Sequence, residues 1–334
     1  MQNNLDFNFI KKQFDMPYEY GKRECVFTLD KIKLYHYQPL IKKNHSTPLL
    51  VVFATVNRPE ILDLFPDQSF IHGLLSQGQD VYLLDWGYAD ASDQSQPFDT
   101  YVNPYLSCVV SHIQKAANVE KINLLGICQG GVISLCYAAL FPTIQNLILI
   151  STPIDFHTPD HHVANFLRKM DMALLVNAMG NVPGAWLTQF FISMRPFELI
   201  GKKYLNLMCR AEDDAFRQKF LRMEKWLHDA PDQPGKAFSM FIRNFYQENG
   251  LIKNQILIHD QPVLLKNLTM PILNIMAEED EIVPMSASKV LREYAGSTNY
   301  TQQTYQSGHI GIYVSDRVGA KLSKFISQWL KNRV

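Results

Sequence analysis

Cys128, Asp280 and His309 are the residues of this chain whose types and settings point to chemistry. Cys128 lies in Gly126-Ile127-Cys128-Gln129-Gly130-Gly131, after the apolar run Ile122-Asn123-Leu124-Leu125. Val132, Leu135, Cys136 and Ala139 then recur at helical spacing. Gly-x-Cys-x-Gly between a strand and a helix is the setting of a nucleophile elbow, with sulfur as the attacking atom. So sharp a turn holds its central residue in strained backbone geometry, and side chains at the flanking glycines would collide. The helix behind it presents a partial positive charge, which favours a thiolate at that end. The alternative is an inert cysteine in a glycine-rich turn.

An activated nucleophile needs a base, and the base needs an orienting group. In an open parallel sheet these belong in loops at the carboxyl ends of the last strands. After Ile272–Met276 comes Ala277-Glu278-Glu279-Asp280-Glu281-Ile282-Val283-Pro284, and after Tyr300–Tyr305 comes Gln306-Ser307-Gly308-His309-Ile310-Gly311. One strand–helix–strand return separates Asp280 from His309, and nucleophile, acid, histidine is the chain order of α/β-hydrolases. Asp280 is favoured over Glu278, Glu279 and Glu281 because Ile282-Val283-Pro284 anchors the chain behind it. His309 is the one histidine of ten in a glycine-flanked loop at this place. The oxyanion hole is expected from the N–H of Gln129 and an N–H of Val56-Asn57-Arg58, with Asn57 the candidate. His157, His161 and His162 lack a completing carboxylate or cysteine and are expected to be solvated, so no metal is expected.

The elements that must position these residues alternate. Val26–Tyr37 reads as one or two strands, and Leu49–Ala54 and Val81–Leu84 as two more. Phe70, Leu74 and Leu75 mark a helix, as do Tyr101, Tyr105, Val109 and Ile113. The strand before Cys128, its helix and Leu147–Ile150 follow. The alternation stops near Pro153, resumes at Ile272 and ends in a helix carrying Leu322, Phe325, Ile326 and Trp329. This pattern predicts an α/β fold: a mostly parallel central sheet, helices on both faces, and a helical insertion. Residues 1–153 and 269–334 form the core, with an arm at about 1–24, and 154–268 form the insertion. The insertion holds seven of the 12 Met and ten of the 20 Phe. Inserted after the sixth strand, it falls above the nucleophile and reads as a cap of adaptable apolar surface.

The 334 residues are 47% hydrophobic and 19% charged, an ordinary globular balance. Lys+Arg and Asp+Glu are both 32, which gives no basic footprint for nucleic acid or an anionic membrane but permits association. The first residues, Met1-Gln2-Asn3-Asn4-Leu5-Asp6, lack the pattern of a secretory signal, and no run approaches the roughly 20 apolar residues of a transmembrane segment. Five scattered cysteines (Cys25, Cys108, Cys128, Cys136 and Cys209) form no disulfide or zinc pattern, and the cytoplasm is the expected compartment.

The sequence resembles the catalytic subunit of two-component polyhydroxyalkanoate synthases (classes III and IV), a family of the α/β-hydrolase superfamily. The matching stretches are Val56-Asn57-Arg58-Pro59, Asp80-Val81-Tyr82-Leu83-Leu84-Asp85-Trp86-Gly87, the Cys128 segment, Phe220-Leu221-Arg222-Met223-Glu224-Lys225-Trp226, Asp232-Gln233-Pro234-Gly235, Phe245-Tyr246-Gln247-Glu248-Asn249 and Gly308-His309-Ile310-Gly311-Ile312-Tyr313-Val314-Ser315. Where that family usually has His and Leu after the acid, this chain has Glu281 and Ile282. The resemblance implies polymerisation of (R)-3-hydroxyacyl-CoA, mainly 3-hydroxybutyryl-CoA, with CoA released from the substrate and no bound cofactor. It also implies a second synthase subunit and a place on the polyester granule surface; a homodimer is the expected assembly. A cysteine suits this chemistry because attack on a CoA thioester gives another thioester, which keeps the acyl group activated. An alcohol must then outcompete water, which calls for an occluding cap. The rival readings are a Cys-dependent thioesterase or lactone hydrolase of the same fold, and a non-catalytic granule-associated scaffold.

Overall fold

The computed structural model describes residues 21–41, 47–65, 68–194, 196–315 and 318–333. Most of the expected N-terminal arm lies outside them. Eight strands form one sheet: β1 (Arg23–Leu29), β2 (Ile32–Tyr37), β3 (Leu49–Val52), β4 (Val81–Asp85), β5 (Ile122–Ile127), β6 (Ile144–Ile150), β7 (Ile272–Ala277) and β8 (Tyr300–Tyr305). Their order is β1-β2-β4-β3-β5-β6-β7-β8. The β1–β2 and β2–β4 pairs are antiparallel, and the other five are parallel. Asp30 turns the β1–β2 hairpin with φ of 50°.

Successive side chains of a strand point to opposite faces, so a strand covered on both faces is apolar throughout. The central strands divide their residues between two cores in this way. Leu50, Val52, Leu124, Leu147 and Leu149 pack with α2 (Ser107–Ala117) and α3 (Gln129–Leu140). Leu49, Val51, Leu125, Ile148 and Ile150 pack with α1 (Phe70–Ser76) and the C-terminal α12 (Gly319–Lys331). The expected stripe from Tyr101 to Ile113 is buried but is not one helix. Asn103 is extended (φ −151°, ψ 122°) before Pro104, because proline disfavours helical geometry in the residue preceding it. The helix of the strand–helix–strand return between Asp280 and His309 is two short ones, α10 (Met285–Lys289) and α11 (Leu291–Tyr294).

Between β6 and β7 the chain forms α4 (His162–Leu167), α5 (Met172–Met179), α6 (Gly184–Met194), α7 (Lys203–Cys209), α8 (Asp214–His228) and α9 (Gly235–Phe241). Two kinds of apolar surface meet there. Phe156, Phe241, Phe245 and Tyr246 stack into the core together with Phe98, at ring separations such as 4.7 Å for Phe156–Tyr246 and 5.4 Å for Phe98–Phe245. Phe166, Leu174, Phe197, Leu205 and Met208 instead face outward. No described helix is long and apolar enough to cross a membrane.

Candidate active site

β5 delivers Cys128 to the start of α3 with φ of 54° and ψ of −123°, a strained geometry for a residue with a side chain. The backbone is held from both sides. The Cys128 N–H donates to the Ile150 carbonyl (2.9 Å), and the Cys128 carbonyl accepts from the Gly131 N–H (2.9 Å). Gly130 is pressed onto the end of β3: a Cβ there would lie 2.4 Å from the Val52 oxygen and 2.5 Å from the Phe53 oxygen.

The loops after β7 and β8 bring Asp280 and His309 together. The Glu278 and Glu279 N–H groups donate to the Tyr305 and Ser307 carbonyls, which ties one loop to the other. Asp280 Oδ1 accepts from the N–H groups of Ile282 (3.0 Å) and Val283 (2.8 Å). Asp280 Oδ2 faces His309 Nδ1 at 2.7 Å. A carboxylate is acceptor-only, so Nδ1 carries a proton and the other ring nitrogen is left for Cys128, whose sulfur hydrogen-bonds His309. The Asp280 side chain is 0% exposed and that of His309 10%. Burial pulls the imidazole toward neutrality, but the charges of Asp280 and Cys128 and the hydrogen bonds to both outweigh it. His309 therefore holds its proton well above the usual histidine range. The competing Glu278, Glu279 and Glu281 are exposed.

Cys128 and His309 open onto a cavity of about 750 Å³. Asn57 and Val56 line one wall, and Phe191, Phe220, Met223 and Trp226, from the segment between β6 and β7, line another. The N–H of Thr55 is already committed to the Gln129 side chain (3.0 Å), and the Asn57 side-chain oxygen accepts from the Arg58 N–H (2.8 Å).

One expectation is corrected. The three histidines from 157 to 162 are not all solvated. His161 is wholly buried, its Nδ1 capping α4 at the Ala164 N–H, and burial lowers its pKa to about 4; among the groups around it, Asp280 pulls the other way. His157 is half-buried, its Nε2 bonded to the Tyr246 carbonyl (3.1 Å), and only His162 is exposed. Arg58, next to Asn57, is buried and paired with Asp85 (2.7 Å) and Glu60 (3.2 Å). Sequence reasoning also passed over Tyr246 and Tyr313, whose phenols are pushed up by burial and by the Cys128 charge. Both stand in stretches quoted for the resemblance, which was the available signal. Cys136 is buried with its thiol pushed up by desolvation, as an inert cysteine should be. No metal-holding cluster of His, Cys, Asp or Glu occurs among the described residues.

A cysteine elbow, a histidine and a buried acid on the loops of a mostly parallel sheet define an α/β-hydrolase fold, and residues 58–316 match the alpha/beta hydrolase fold family model. A Thermogutta terrifontis esterase is similar at a TM-score of 0.55 and 13% identity, covering 93% of this chain and 99% of the esterase. MenH from S. aureus is similar at 0.55 and 17%, covering 91% and 99%. At such identities the likeness concerns the fold alone. Residues 18–74 match the model of the poly-beta-hydroxybutyrate polymerase (PhaC) N-terminus. The poly(3-hydroxyalkanoate) polymerase subunit PhaC of Allochromatium vinosum is 43% identical over 314 residues, 93% of this chain and 88% of the relative. That of a Synechocystis strain is 41% identical over 327 residues, 96% and 86%. The chain belongs to the PhaC family of poly(3-hydroxyalkanoate) polymerases.

Proposed function

We propose that this chain polymerises (R)-3-hydroxyacyl-CoA, in particular 3-hydroxybutyryl-CoA, through a thioester on Cys128. The observation that carries the reading is the buried Asp280–His309 pair set against the sulfur of a strained elbow cysteine. The Cys128 thiolate attacks the thioester carbonyl carbon, and the oxyanion forms beside the Gln129 N–H and the Val56-Asn57 loop. The carbon–sulfur bond to CoA breaks, and protonated His309 gives its proton to the departing CoA sulfur. Neutral His309 then takes the proton of a 3-hydroxyl group as its oxygen attacks the Cys128 thioester. The new ester forms, the bond to Sγ breaks, and the thiolate–imidazolium pair is restored.

Residues 154–268 act as the cap of this site, excluding water so that an alcohol wins the acyl group. The apolar cavity wall from α6 and α8 supports that role. The outward Phe166, Leu174, Phe197 and Met208 suit contact with a second subunit, a copy of this chain or the granule surface, in a cytoplasmic setting. Incubation with 3-hydroxybutyryl-CoA, with and without a candidate second subunit, tests the reading. CoA release with polymer is expected. Free 3-hydroxybutyrate in place of polymer would make the chain a hydrolase, and no thiol release would leave it a scaffold.

A further inference from the structure

We infer that Gln233, carried by the segment between β6 and β7, is a positioning residue for the oxyanion loop, so that seating of the cap and competence for acylation are one event. The inference rests on the reading of Cys128 as the acylated residue. Thr55 lies between the end of β3 and the Val56-Asn57 wall, and its backbone is held by two side-chain amides. Its N–H donates to Gln129 Oε1 (3.0 Å), from the elbow. Its carbonyl accepts from Gln233 Nε2 (2.9 Å). Its hydroxyl lies 2.8 Å from Gln129 Oε1 and 2.7 Å from Gln233 Oε1, so one proton is shared between two amide oxygens.

The orientation of Gln233 is fixed by chemistry. Its Nε2 also reaches the Pro231 carbonyl (2.9 Å), and a flipped amide would set its oxygen against two carbonyls. The residue is 3% exposed and is pinned to Val182 by two backbone bonds of 2.9 Å. Three residues past Thr55, the Arg58 carbonyl accepts from the Trp226 indole N–H (2.8 Å), again from the inserted segment. The two grips bracket Val56 and Asn57, the stretch expected to supply the second oxyanion donor. With the cap displaced, Thr55 loses its carbonyl partner and half of its shared hydroxyl bond, and the donor stretch is held only from the elbow side.

The test separates positioning from general loosening. Acylation by a thioester develops an oxyanion, whereas alkylation of Cys128 by iodoacetamide does not. Gln233→Leu should lower the first-turnover release of CoA by about 10- to 100-fold, below the roughly 10²–10³ lost when an oxyanion donor itself is removed. The loss should fall on kcat rather than KM, with the alkylation rate and its pH profile unchanged. Thr55→Val should shift the same way, and Thr55→Ser should recover most of that loss. If Gln233→Leu does not fold, the two Thr55 variants decide the matter by the same readouts. Unchanged CoA release, or acylation and alkylation falling together, overturns the inference. A wild-type enzyme whose Cys128 alkylates but releases no CoA overturns the reading of Cys128 instead.

Discussion

Replacing Asp280 by Asn is expected to separate acylation from chain extension. Asp280 Oδ1 accepts two backbone N–H groups, from Ile282 and Val283. An asparagine must keep its carbonyl oxygen there, because an amide NH₂ would face two donors. Its NH₂ then occupies the place of Oδ2, 2.7 Å from His309 Nδ1, and His309 must accept at that nitrogen. The proton moves to the ring nitrogen facing Cys128, and the base can no longer take one. In the serine-enzyme precedent, this wrong tautomer costs about 10⁴ in rate. An alcohol has no ionised population to fall back on, so extension should fall by about 10³–10⁴. A thiol does, because part of a thiol population is already ionised near neutral pH without a base. Acylation should therefore fall only about 10-fold, or about 1.4 kcal/mol in barrier. Rapid-quench measurement of the first CoA released, against steady-state release, reads both steps, and acyl-enzyme should accumulate. Equal losses in the two rates would refute the reasoning and leave Asp280 as an orienting group only.

Three further outcomes follow from the same geometry. His309→Gln should slow acylation more than Asp280→Asn does, because it also removes the ring proton offered to the departing CoA sulfur, and should slow alkylation of Cys128 near neutral pH. Because the folded pKa of His309 is raised, its pair stabilises the fold fully below the unfolded value of about 6.5 and loses that contribution as pH rises through the folded value. The melting-temperature difference between wild type and His309→Gln should accordingly shrink as pH rises. Gly131→Ala would place a Cβ 1.9 Å from Thr152 Oγ1 and should cost about 1–3 kcal/mol, read by denaturant titration. The isolated chain should show a lag that a second subunit shortens; full activity without a lag would count against a gating cap.

The sheet and the Cys128–Asp280–His309 cluster were legible because each rests on local signals. Apolar runs mark covered strands, glycines mark the elbow, and Ile282-Val283-Pro284 marks an anchored loop. The Thr55–Gln129–Gln233 network was not legible, because Thr55 and Gln233 are 178 residues apart and polar residues of their type are ordinarily exposed. His161 was misplaced for a related reason: burial against Phe156 and Tyr246 is a tertiary fact with no periodic trace.

The central claim is that Cys128 carries the growing acyl group. Mass spectrometry of peptides from enzyme quenched during turnover of 3-hydroxybutyryl-CoA tests it most directly. Hydroxybutyryl units should sit on the peptide holding Cys128, and Cys128→Ala should abolish them while leaving the protein folded. Acyl groups on Cys136 instead, or turnover that survives in Cys128→Ala, would contradict the account.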